Sequence, residues 1–375
     1  MLLITATITF IYIGLIGSLI YGFNMVKQPI ITTTTEKTSF SIIIPFRNEA
    51  INLPQLLGSL KELNYPHQLF EIIMVNDSSM DNSEAIILSF SNKNPSLNIK
   101  LINNERLSPS PKKDAINTAI EIADHDWIIT TDADCILPIN WLKRYDTSIQ
   151  NHETVCIAGP VSYYGYSNFL ELFQSIDFLS LQGVTIGSFG LNIPFMANGA
   201  NLAYKKSTFK ELGGFEGNTD IASGDDVFLL EKITSKFKKS VYYLKSRDSI
   251  VMTKPEKTWV GLIMQRKRWA AKSSNYNSFF GKFSALTVLL TNSFLVFLFV
   301  FSCFGLTQWK AFSLITISKV IVDYILIKRT AFFFNQKQIL SSYLPSAILY
   351  PFFCCYVGIC SLFSKYEWKG RTFQK

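Results

Sequence analysis

Three long stretches without a charged side chain constrain this chain more than any other feature of its sequence. They are Leu2 to Phe23, Phe283 to Trp309 and Gln338 to Ser364. At about 1.5 Å of rise per residue, a helix over any of them crosses the roughly 30 Å hydrocarbon core of a membrane. Apolar residues make up 48% of the chain and charged residues only 17%. The sequence therefore predicts an integral membrane protein with transmembrane helices near both ends.

The number of spans is left open by two segments. Leu2 to Phe23 could be a signal peptide, but no basic residue precedes it and no small-residue cleavage site closes it, which favours an uncleaved anchor. Ala311 to Ile327 is apolar except for Lys319 and Asp323, which stand four residues apart and would share a helix face. This second segment is either a third C-terminal span or a helix at the membrane interface.

The orientation in the membrane is indicated by basic residues just before the second apolar stretch. The net charge of +8 is concentrated there, with Glu256 as the only nearby acid. Because basic loops stay on the cytosolic side, we expect residues 24–282 in the cytosol, beneath the cell (inner) membrane. The tail favours the same side, yet four spans would put it outside, so its location stays open. The basic residues are Lys254, Lys257, Arg266, Lys267, Arg268, Lys272 and Lys282, with Lys365, Lys369, Arg371 and Lys375 in the tail.

These features divide the chain into four predicted segments. Six cysteines without paired spacing indicate neither a zinc site nor a disulfide framework. The basic residues lie beside apolar spans and not on a patch interleaved with aromatics, so no nucleic-acid partner is expected. The segments are an anchor at 1–25, a soluble domain at 39–275 after a linker at Thr32 to Thr35, a membrane region with two or three spans at 283–364, and a basic tail at 365–375.

Short apolar runs alternate with amphipathic stretches in the first half of the soluble segment. This alternation predicts an α/β fold with a Rossmann-like, mostly parallel sheet and right-handed crossovers. Ligands bind such sheets at the carboxyl ends of the strands, where polar clusters occur here. The predicted strands are 40–44, 71–75, 99–102 and 127–131; the helices run from Glu49 through Leu60, over 81–90 and over 112–123; the polar clusters are Asn48 with Glu49, Asn76 with Asp77, and Asp132 with Asp134.

Asp132 and Asp134 leave the end of a strand with one residue between them. Mg²⁺ or Mn²⁺ prefers such oxygen ligands and could be shared with a diphosphate. Two aspartates in a polar loop are also common turn formers and helix caps, so the pair alone leaves both interpretations open. Nothing in the residues distinguishes Mg²⁺ from Mn²⁺.

Three further groups have both a structural and a chemical interpretation. Asp77 is placed to contact a base or ribose. Lys112 and Lys113 open a helix, where positive charge and free N–H groups could meet a diphosphate, or they are solvated surface lysines. Asp225 and Asp226 also begin a helix, so they either stabilise its dipole or include a base that deprotonates an acceptor hydroxyl.

Gln265, Arg268 and Trp269 form a polar, cationic and aromatic group close to the membrane region. Arg268 could hold a phosphate, and Trp269 could stack on a sugar or another acceptor. The alternative is an ordinary basic belt with an interfacial tryptophan. Beyond the alternating region, Gly159 through Phe215 is rich in glycine and aromatics, and we interpret it as the acceptor half.

Taken together and in this order, these segments resemble family 2 glycosyltransferases with a GT-A fold, over about Ser39 to Ser273. The resemblance implies inverting, metal-dependent transfer of a hexosyl-type sugar from a nucleotide-sugar donor. Asn76 departs from the family by replacing the first of two usual aspartates, and Asp225 stands where glutamate is common. The matching segments are Ser41 through Glu49, Val75 through Asp81, Lys112 with Lys113, Thr131 through Cys135, Asn198 through Asn201, Gly213 through Phe215, Gly224 through Asp226 and Gln265 through Trp269.

By this resemblance each matching position acquires an expected role. Asp226 is the catalytic base, and Asp132 with Asp134 is the metal-binding DxD pair. The donor-binding residues are Pro45, Arg47, Asn48, Glu49, Asp77, Lys112, Lys113 and Asp132, and the residues near the acceptor or diphosphate are Asn201, Asp225, Gln265, Arg268 and Trp269.

The acceptor is expected to be lipid-linked or a saccharide, because the apolar spans hold the domain at a membrane. Two other functions stay open. One is a processive polysaccharide synthase, which Gln265, Arg268 and Trp269 permit. The other is a non-catalytic membrane scaffold that binds nucleotides, although a pure binder does not need Asp226 beside a DxD pair.

Overall fold

The computed structural model describes residues 2–29, 35–221, 223–273, 277–306, 309–363, 366–368 and 371–373. Side chains at 2, 271–273, 362–363, 366–368 and 372–373 are not described. Of the sequence predictions, Thr32 to Thr34 of the linker, Lys365, Lys369 and Lys375 of the tail, and the Lys272 side chain lie outside the described part.

The first half of the soluble domain alternates strands and helices, which confirms the predicted α/β architecture. Three of its strands, 40–46, 70–76 and 127–130, are almost fully buried apolar runs, as expected for parallel strands covered on both faces. The edge strand, 99–103, is only partly buried. Pro111 sits in the first turn of its helix, where a missing N–H costs nothing. The elements are α1 (Leu2–Met25), β1 (Phe40–Phe46), α2 (Leu53–Lys61), β2 (Phe70–Asn76), α3 (Ser83–Lys93), β3 (Ile99–Asn103), α4 (Pro111–Ile122) and β4 (Trp127–Thr130).

The second half completes the sheet and adds a long helix that the sequence analysis did not predict, α6. The strand order is β3-β2-β1-β4-β7-β5-β8, with β7 antiparallel to both of its neighbours and the other pairs parallel. The elements are α5 (Trp141–Asn151), β5 (Cys156–Ala158), β6 (Val161–Tyr163), α6 (Phe169–Gly190), β7 (Leu202–Lys205), α7 (Lys206–Glu211), α8 (Asp225–Phe237), β8 (Val241–Tyr243), β9 (Val251–Thr253) and α9 (Trp259–Ser273).

The C-terminal part consists of α10 (Phe279–Cys303), α11 (Trp309–Phe333), α12 (Tyr343–Phe363) and the short antiparallel strands β10 (Tyr366–Trp368) and β11 (Arg371–Phe373). Among the described residues, three segments are long and apolar enough to cross a membrane: Leu3–Met25, Phe279–Cys303 and Lys337–Ser361. These correspond to the three uncharged stretches of the sequence. α11 is not one of them.

The two charged residues inside α11 form a buried polar cluster with α1. Lys319 Nζ lies 2.6 Å from Asp323 Oδ2, and the Tyr12 hydroxyl donates to Asp323 Oδ1 at 2.8 Å. The α11 end also contacts the soluble domain, because Arg247 Nε donates to the Phe333 carbonyl at 3.0 Å. α11 is therefore held between the anchor helix and the soluble domain by polar contacts.

The backbones of α1 and α6 touch at a row of glycines. A Cβ added at Gly187 would lie 2.4 Å from the Leu19 carbonyl oxygen, and one at Gly190 would lie 1.8 Å from the Gly22 carbonyl oxygen. Small residues allow helices to approach this closely. One hydrophobic core accordingly includes residues from α1, α6, α11 and the sheet. The N-terminal helix is thus packed against the soluble domain and is not a loose tether.

Substitution Gly187→Ala should lower the stability of the protein, because the new methyl group would meet backbone atoms that cannot rotate away. We expect a loss of about 1–3 kcal/mol, the usual range for overpacking. Thermal unfolding of the detergent-solubilised protein measures it. Gly14→Ala is the matched control, since no atom lies within 4 Å of a Cβ at that position of α1. Equal melting temperatures for the two variants would contradict the close contact.

Candidate active site

A cavity of about 1100 Å³ begins at the carboxyl ends of β1, β2 and β4 and continues between α1, α6, α9, α10 and α12. Its two ends differ in character. The end at the sheet is lined by charged side chains, and the end between the helices is lined mostly by apolar ones. Of the residues predicted for the site, those that line it are Pro45, Arg47, Glu49, Asp77, Lys112, Asp132, Asp134, Asp225, Asp226, Gln265, Arg268 and Trp269.

The loops after β1 and β2 are tied together at the charged end. Arg47 Nη1 donates to the carbonyl oxygens of Asp77 and Ser78, at 2.7 and 2.8 Å. The Asp77 carboxylate is buried and accepts from Asn104 Nδ2 at 2.9 Å through one oxygen. Its other oxygen lies 2.6 Å from Arg371 Nη1. A tail residue thus reaches the position predicted to contact the nucleotide.

Asn76, which departs from the family pattern, stabilises the loop after β2. Its Oδ1 accepts from the Ser79 backbone N–H at 2.9 Å, and its Nδ2 donates to Glu84 at 3.3 Å. It is not among the residues that line the cavity. The replacement of aspartate by asparagine therefore keeps the loop shape without changing the charge of the cavity wall.

Lys112 joins two parts of the site that are distant in sequence. Its Nζ lies 2.7 Å from Asp132 Oδ1 and 3.1 Å from Asp225 Oδ2. Burial lowers the pKa of Lys112, but Asp132 and Asp225 outweigh burial and raise this pKa above its ordinary value. Lys112 therefore stays protonated and places a fixed positive charge among carboxylates.

Asp226 is positioned by backbone groups at the start of α8. Its Oδ2 accepts from the Gly199 N–H at 3.2 Å, and its Oδ1 accepts from the Val227 N–H at 2.7 Å. Gly224, the residue before α8, has φ +89°, a left-handed conformation that glycine adopts without strain. The turn brings both Asp225 and Asp226 to the cavity wall.

Asp132 and Asp134 offer hard oxygen ligands on the same cavity wall. Burial, together with Asp134 and Asp132, raises the pKa of the neighbouring Cys135 thiol well above its ordinary value, so no thiolate competes as a soft ligand. In the described part of the chain, no group of three or more His, Cys, Asp or Glu side chains forms a metal-binding cluster. Mg²⁺ commonly binds one or two carboxylates and takes the other ligands from phosphates and water. The pair fits a hard divalent cation of that kind.

α9 supplies a second polar group, including a residue that the sequence analysis treated only as part of a basic belt. Arg266 is buried, its Nε donates to Asp177 Oδ2 at 2.7 Å, and its guanidinium lies 4.2 Å from the Trp269 ring centroid. Gln265 Nε2 donates to Glu256 at 3.3 Å. Asp177, the partner of Arg266, lies in an apolar part of α6. An acidic residue in such a stretch is a sequence signal for a buried polar contact, and it could have pointed to this ion pair.

Three predicted site residues do not line the cavity, and their contacts explain why. Asn48 has φ +52° and accepts from the Met80 N–H at 2.8 Å, so it shapes the loop. Lys113 is fully buried, and its Nζ donates to the carbonyls of Asn218 and Ile221. Asn201 is also fully buried, with its Oδ1 2.8 Å from both Trp141 Nε1 and the Tyr145 hydroxyl. These contacts are structural, and the donor and acceptor roles of the three residues stay predictions.

Comparison with known proteins identifies a family over part of the chain. Residues 41–213 match the model of the family described as glycosyl transferase family 2. Residues 41–213 therefore correspond to a family 2 glycosyltransferase domain. The match includes Asp77, Lys112, Asp132 and Asp134 and ends before α8, so Asp226 lies outside the matched range.

Curated relatives and a solved structure are also similar to this chain. Poly-beta-1,6-N-acetyl-D-glucosamine synthase of Staphylococcus epidermidis is 27% identical over 267 residues, which is 68% of this chain and 61% of that protein. Poly(ribitol-phosphate) beta-N-acetylglucosaminyltransferase TarS of Staphylococcus aureus is 30% identical over 115 residues, covering 31% of this chain and 19% of TarS. The chain thus matches about three fifths of the synthase and a smaller part of TarS.

The solved structure is that of mannosyltransferase PcManGT from Pyrobaculum calidifontis in complex with GDP-Man and Mn²⁺. It superposes with a TM-score of 0.59 at 18% identity, over 91% of this chain and 99% of that one. At this identity the similarity establishes the fold alone. The family 2 domain therefore has the GT-A-like fold that the sequence resemblance implied.

Substitution Gly199→Ala should impair the family 2 site without unfolding the domain. Its Cβ would lie 2.6 Å from Asp225 Oδ2 and 3.2 Å from Lys112 Nζ, so the carboxylate would have to move. We expect sugar transfer to fall by roughly tenfold or more, the equivalent of about 1.4 kcal/mol in the barrier. The measurement is kcat/KM together with the melting temperature. Gly58→Ala in α2, with no atom within 4 Å of the added Cβ, should keep wild-type activity.

Proposed function

We propose that this protein is a membrane-embedded inverting glycosyltransferase that moves a sugar from a nucleotide-sugar to a lipid-linked acceptor. The main observation behind this proposal is one continuous cavity, which joins a charged end at the sheet to an apolar end between helices. A nucleotide-sugar needs the first end, and a lipid chain needs the second. The family 2 domain supports the donor side of the proposal.

The reaction we propose is a single displacement at the anomeric carbon. The acceptor oxygen forms the new bond as its proton passes to Asp226, and the bond to the diphosphate breaks with its electron pair leaving on the nucleotide. One displacement inverts the configuration. Lys112 and Arg268 supply positive charge on the walls around the diphosphate, Asp77 contacts the nucleoside, and Trp269 packs beside the acceptor.

For the metal, we propose only which residues would bind it. Asp132 and Asp134 would hold Mg²⁺ or Mn²⁺, which when bound neutralises charge on the diphosphate. The choice of donor nucleotide and sugar is based on the similar proteins and not on contacts in this chain. The names of the relatives make UDP-N-acetylglucosamine the first donor to test, with GDP-mannose second, because it is the ligand named for the structural neighbour.

A lipid acceptor is supported by where the apolar end of the cavity opens. Leu286, Leu290 and Ile359 line the cavity and are also 55%, 53% and 61% exposed on the outer faces of α10 and α12. These helices include two of the candidate spans. A lipid chain could therefore enter sideways between them while its head group reaches Asp226. The basic residues of α9 favour a cytosolic orientation for this entrance.

A second candidate is a processive polysaccharide synthase. It is favoured by Gln265, Arg268 and Trp269 at the cavity wall and by the name of the Staphylococcus epidermidis relative. Product length separates the two candidates. Addition of one sugar per acceptor supports a single-transfer enzyme, and long chains from few acceptors support a synthase.

Substitution Asp226→Asn should abolish transfer while leaving the donor bound, because the amide cannot accept the acceptor proton. We expect transfer to fall by roughly 10²–10⁴-fold, the usual contribution of a general base. Nucleotide affinity should change by less than about twofold. Both are measured in detergent or vesicles with UDP- and GDP-sugars and Mn²⁺ or Mg²⁺. Asp220→Asn, an exposed aspartate before α8 that does not line the cavity, is the matched control.

Retained turnover in Asp226→Asn would remove Asp226 from the base role. Binding of a donor with no transfer by the wild-type protein to any lipid or saccharide acceptor would instead favour a nucleotide-binding scaffold.

Substitution Ala347→Trp should block the apolar end of the cavity and leave the charged end intact. Ala347 lines the cavity on α12. We expect at least a roughly tenfold rise in KM for a long-chain lipid acceptor, with donor KM and donor hydrolysis unchanged, because the indole fills space needed only by the lipid. Ile348→Trp is the matched control, since that side chain is 63% exposed on another face of the helix. Equal acceptor KM values for both variants would contradict lipid entry at this end.

A further inference from the structure

The chain after α12 returns to the charged end of the cavity. β10 and β11 pair antiparallel, with Trp368 opposite Arg371, and β10 packs against α9. Arg371, the first residue of β11, lines the same cavity as Asp77 and Lys112. The hairpin formed by 366–368 and 371–373 is therefore on the same side of any membrane as the catalytic domain. The sequence left open on which side of the membrane the tail lies, and this contact places the described part of the tail beside the catalytic domain.

Arg371 forms an ion pair with Asp77, the residue proposed to contact the nucleoside. Arg371 Nη1 lies 2.6 Å from Asp77 Oδ2, and the two side chains are 20% and 9% exposed. The other carboxylate oxygen accepts from Asn104 Nδ2 at 2.9 Å and lies 3.8 Å from Arg106 Nε. Both oxygens of Asp77 are thus already held by protein groups. A ribose hydroxyl or base N–H that uses Asp77 meets a partly buried ion pair first.

We infer that the hairpin is an autoinhibitory latch on the nucleotide subsite. Without donor, Arg371 holds Asp77 and covers the part of the cavity where the base and ribose would lie. Donor binding breaks the Arg371–Asp77 ion pair and releases the hairpin from the cavity. This inference rests on the proposed assignment of Asp77 to the nucleotide.

The latch should weaken the affinity of the protein for the nucleotide. For a ligand that binds only the open form, the apparent dissociation constant equals the intrinsic one divided by the fraction of protein that is open. If about nine molecules in ten are latched, opening the latch tightens nucleotide binding roughly tenfold. Coupling between two ligands is reciprocal, so the nucleotide must in turn release the hairpin. If Arg371 instead held the bound donor in place, its loss would weaken nucleotide binding, and the nucleotide would protect the hairpin.

Arg371→Ala in the full-length protein should tighten the binding of UDP or GDP, measured by calorimetry with Mn²⁺ and using whichever nucleotide binds the wild type. We expect a roughly tenfold lower dissociation constant. Arg371→Lys retains the cation and should stay close to wild type. Arg106→Ala is the matched control, because it removes a cation near the other oxygen of Asp77 without touching the hairpin, and it should not tighten binding.

Hydrogen–deuterium exchange of a peptide covering 366–373 gives an independent readout. Exchange should be faster in Arg371→Ala than in wild type, and adding nucleotide to wild type should accelerate it. Unchanged or weaker nucleotide binding in Arg371→Ala, or protection of the hairpin by nucleotide, would overturn the latch while leaving the donor site intact. If neither nucleotide binds wild type or Arg371→Ala, the donor assignment itself fails and the latch fails with it.

Discussion

The direct backbone contact between α1 and α6 is the constraint on which the site depends. Because Gly187 and Gly190 leave no side chain between the helices, the anchor helix packs against the catalytic domain and shares its hydrophobic core. The cavity can then continue from the strand ends to the space between α10 and α12 without crossing bulk water. A flexible tether would have left the charged end and the apolar end as separate surfaces.

The charged end of the cavity is organised around the partly buried cation of Lys112. Lys112 contacts Asp132, from the loop after β4, and Asp225, from the start of α8, so it links the part of the chain that matches the family model to the part beyond it. Asp226 is held separately by two backbone N–H groups. Lys112 thus pairs directly with Asp225, whereas backbone groups fix the position of Asp226. Arg371 adds a second cation beside Asp77.

Much of this arrangement could be predicted from local patterns. The four predicted strands agree with β1 to β4 within two residues, because buried parallel strands are short apolar runs ended by polar residues. α6 was not predicted, since its apolar sequence contains Glu171 and Asp177 and lies among glycines and aromatics that suggested irregular structure. Lys112 and Lys113 were indistinguishable as neighbours in sequence. Successive side chains on a helix point about 100° apart. Lys112 therefore lines the cavity, whereas Lys113 is buried and donates to the Asn218 carbonyl.

The sequence by itself determined the α/β class, the apolar helices at both ends and the family motifs, because these follow from periodicity, charge and short-range spacing. The tertiary structure alone decided which motif residues share a cavity, that Asn201 and Lys113 support the fold, and that Arg371 reaches Asp77 across the length of the chain. The physical reason is that hydrogen bonds and ion pairs between distant residues depend on how helices pack and where side chains point. Neither of these is specified by spacing along the chain.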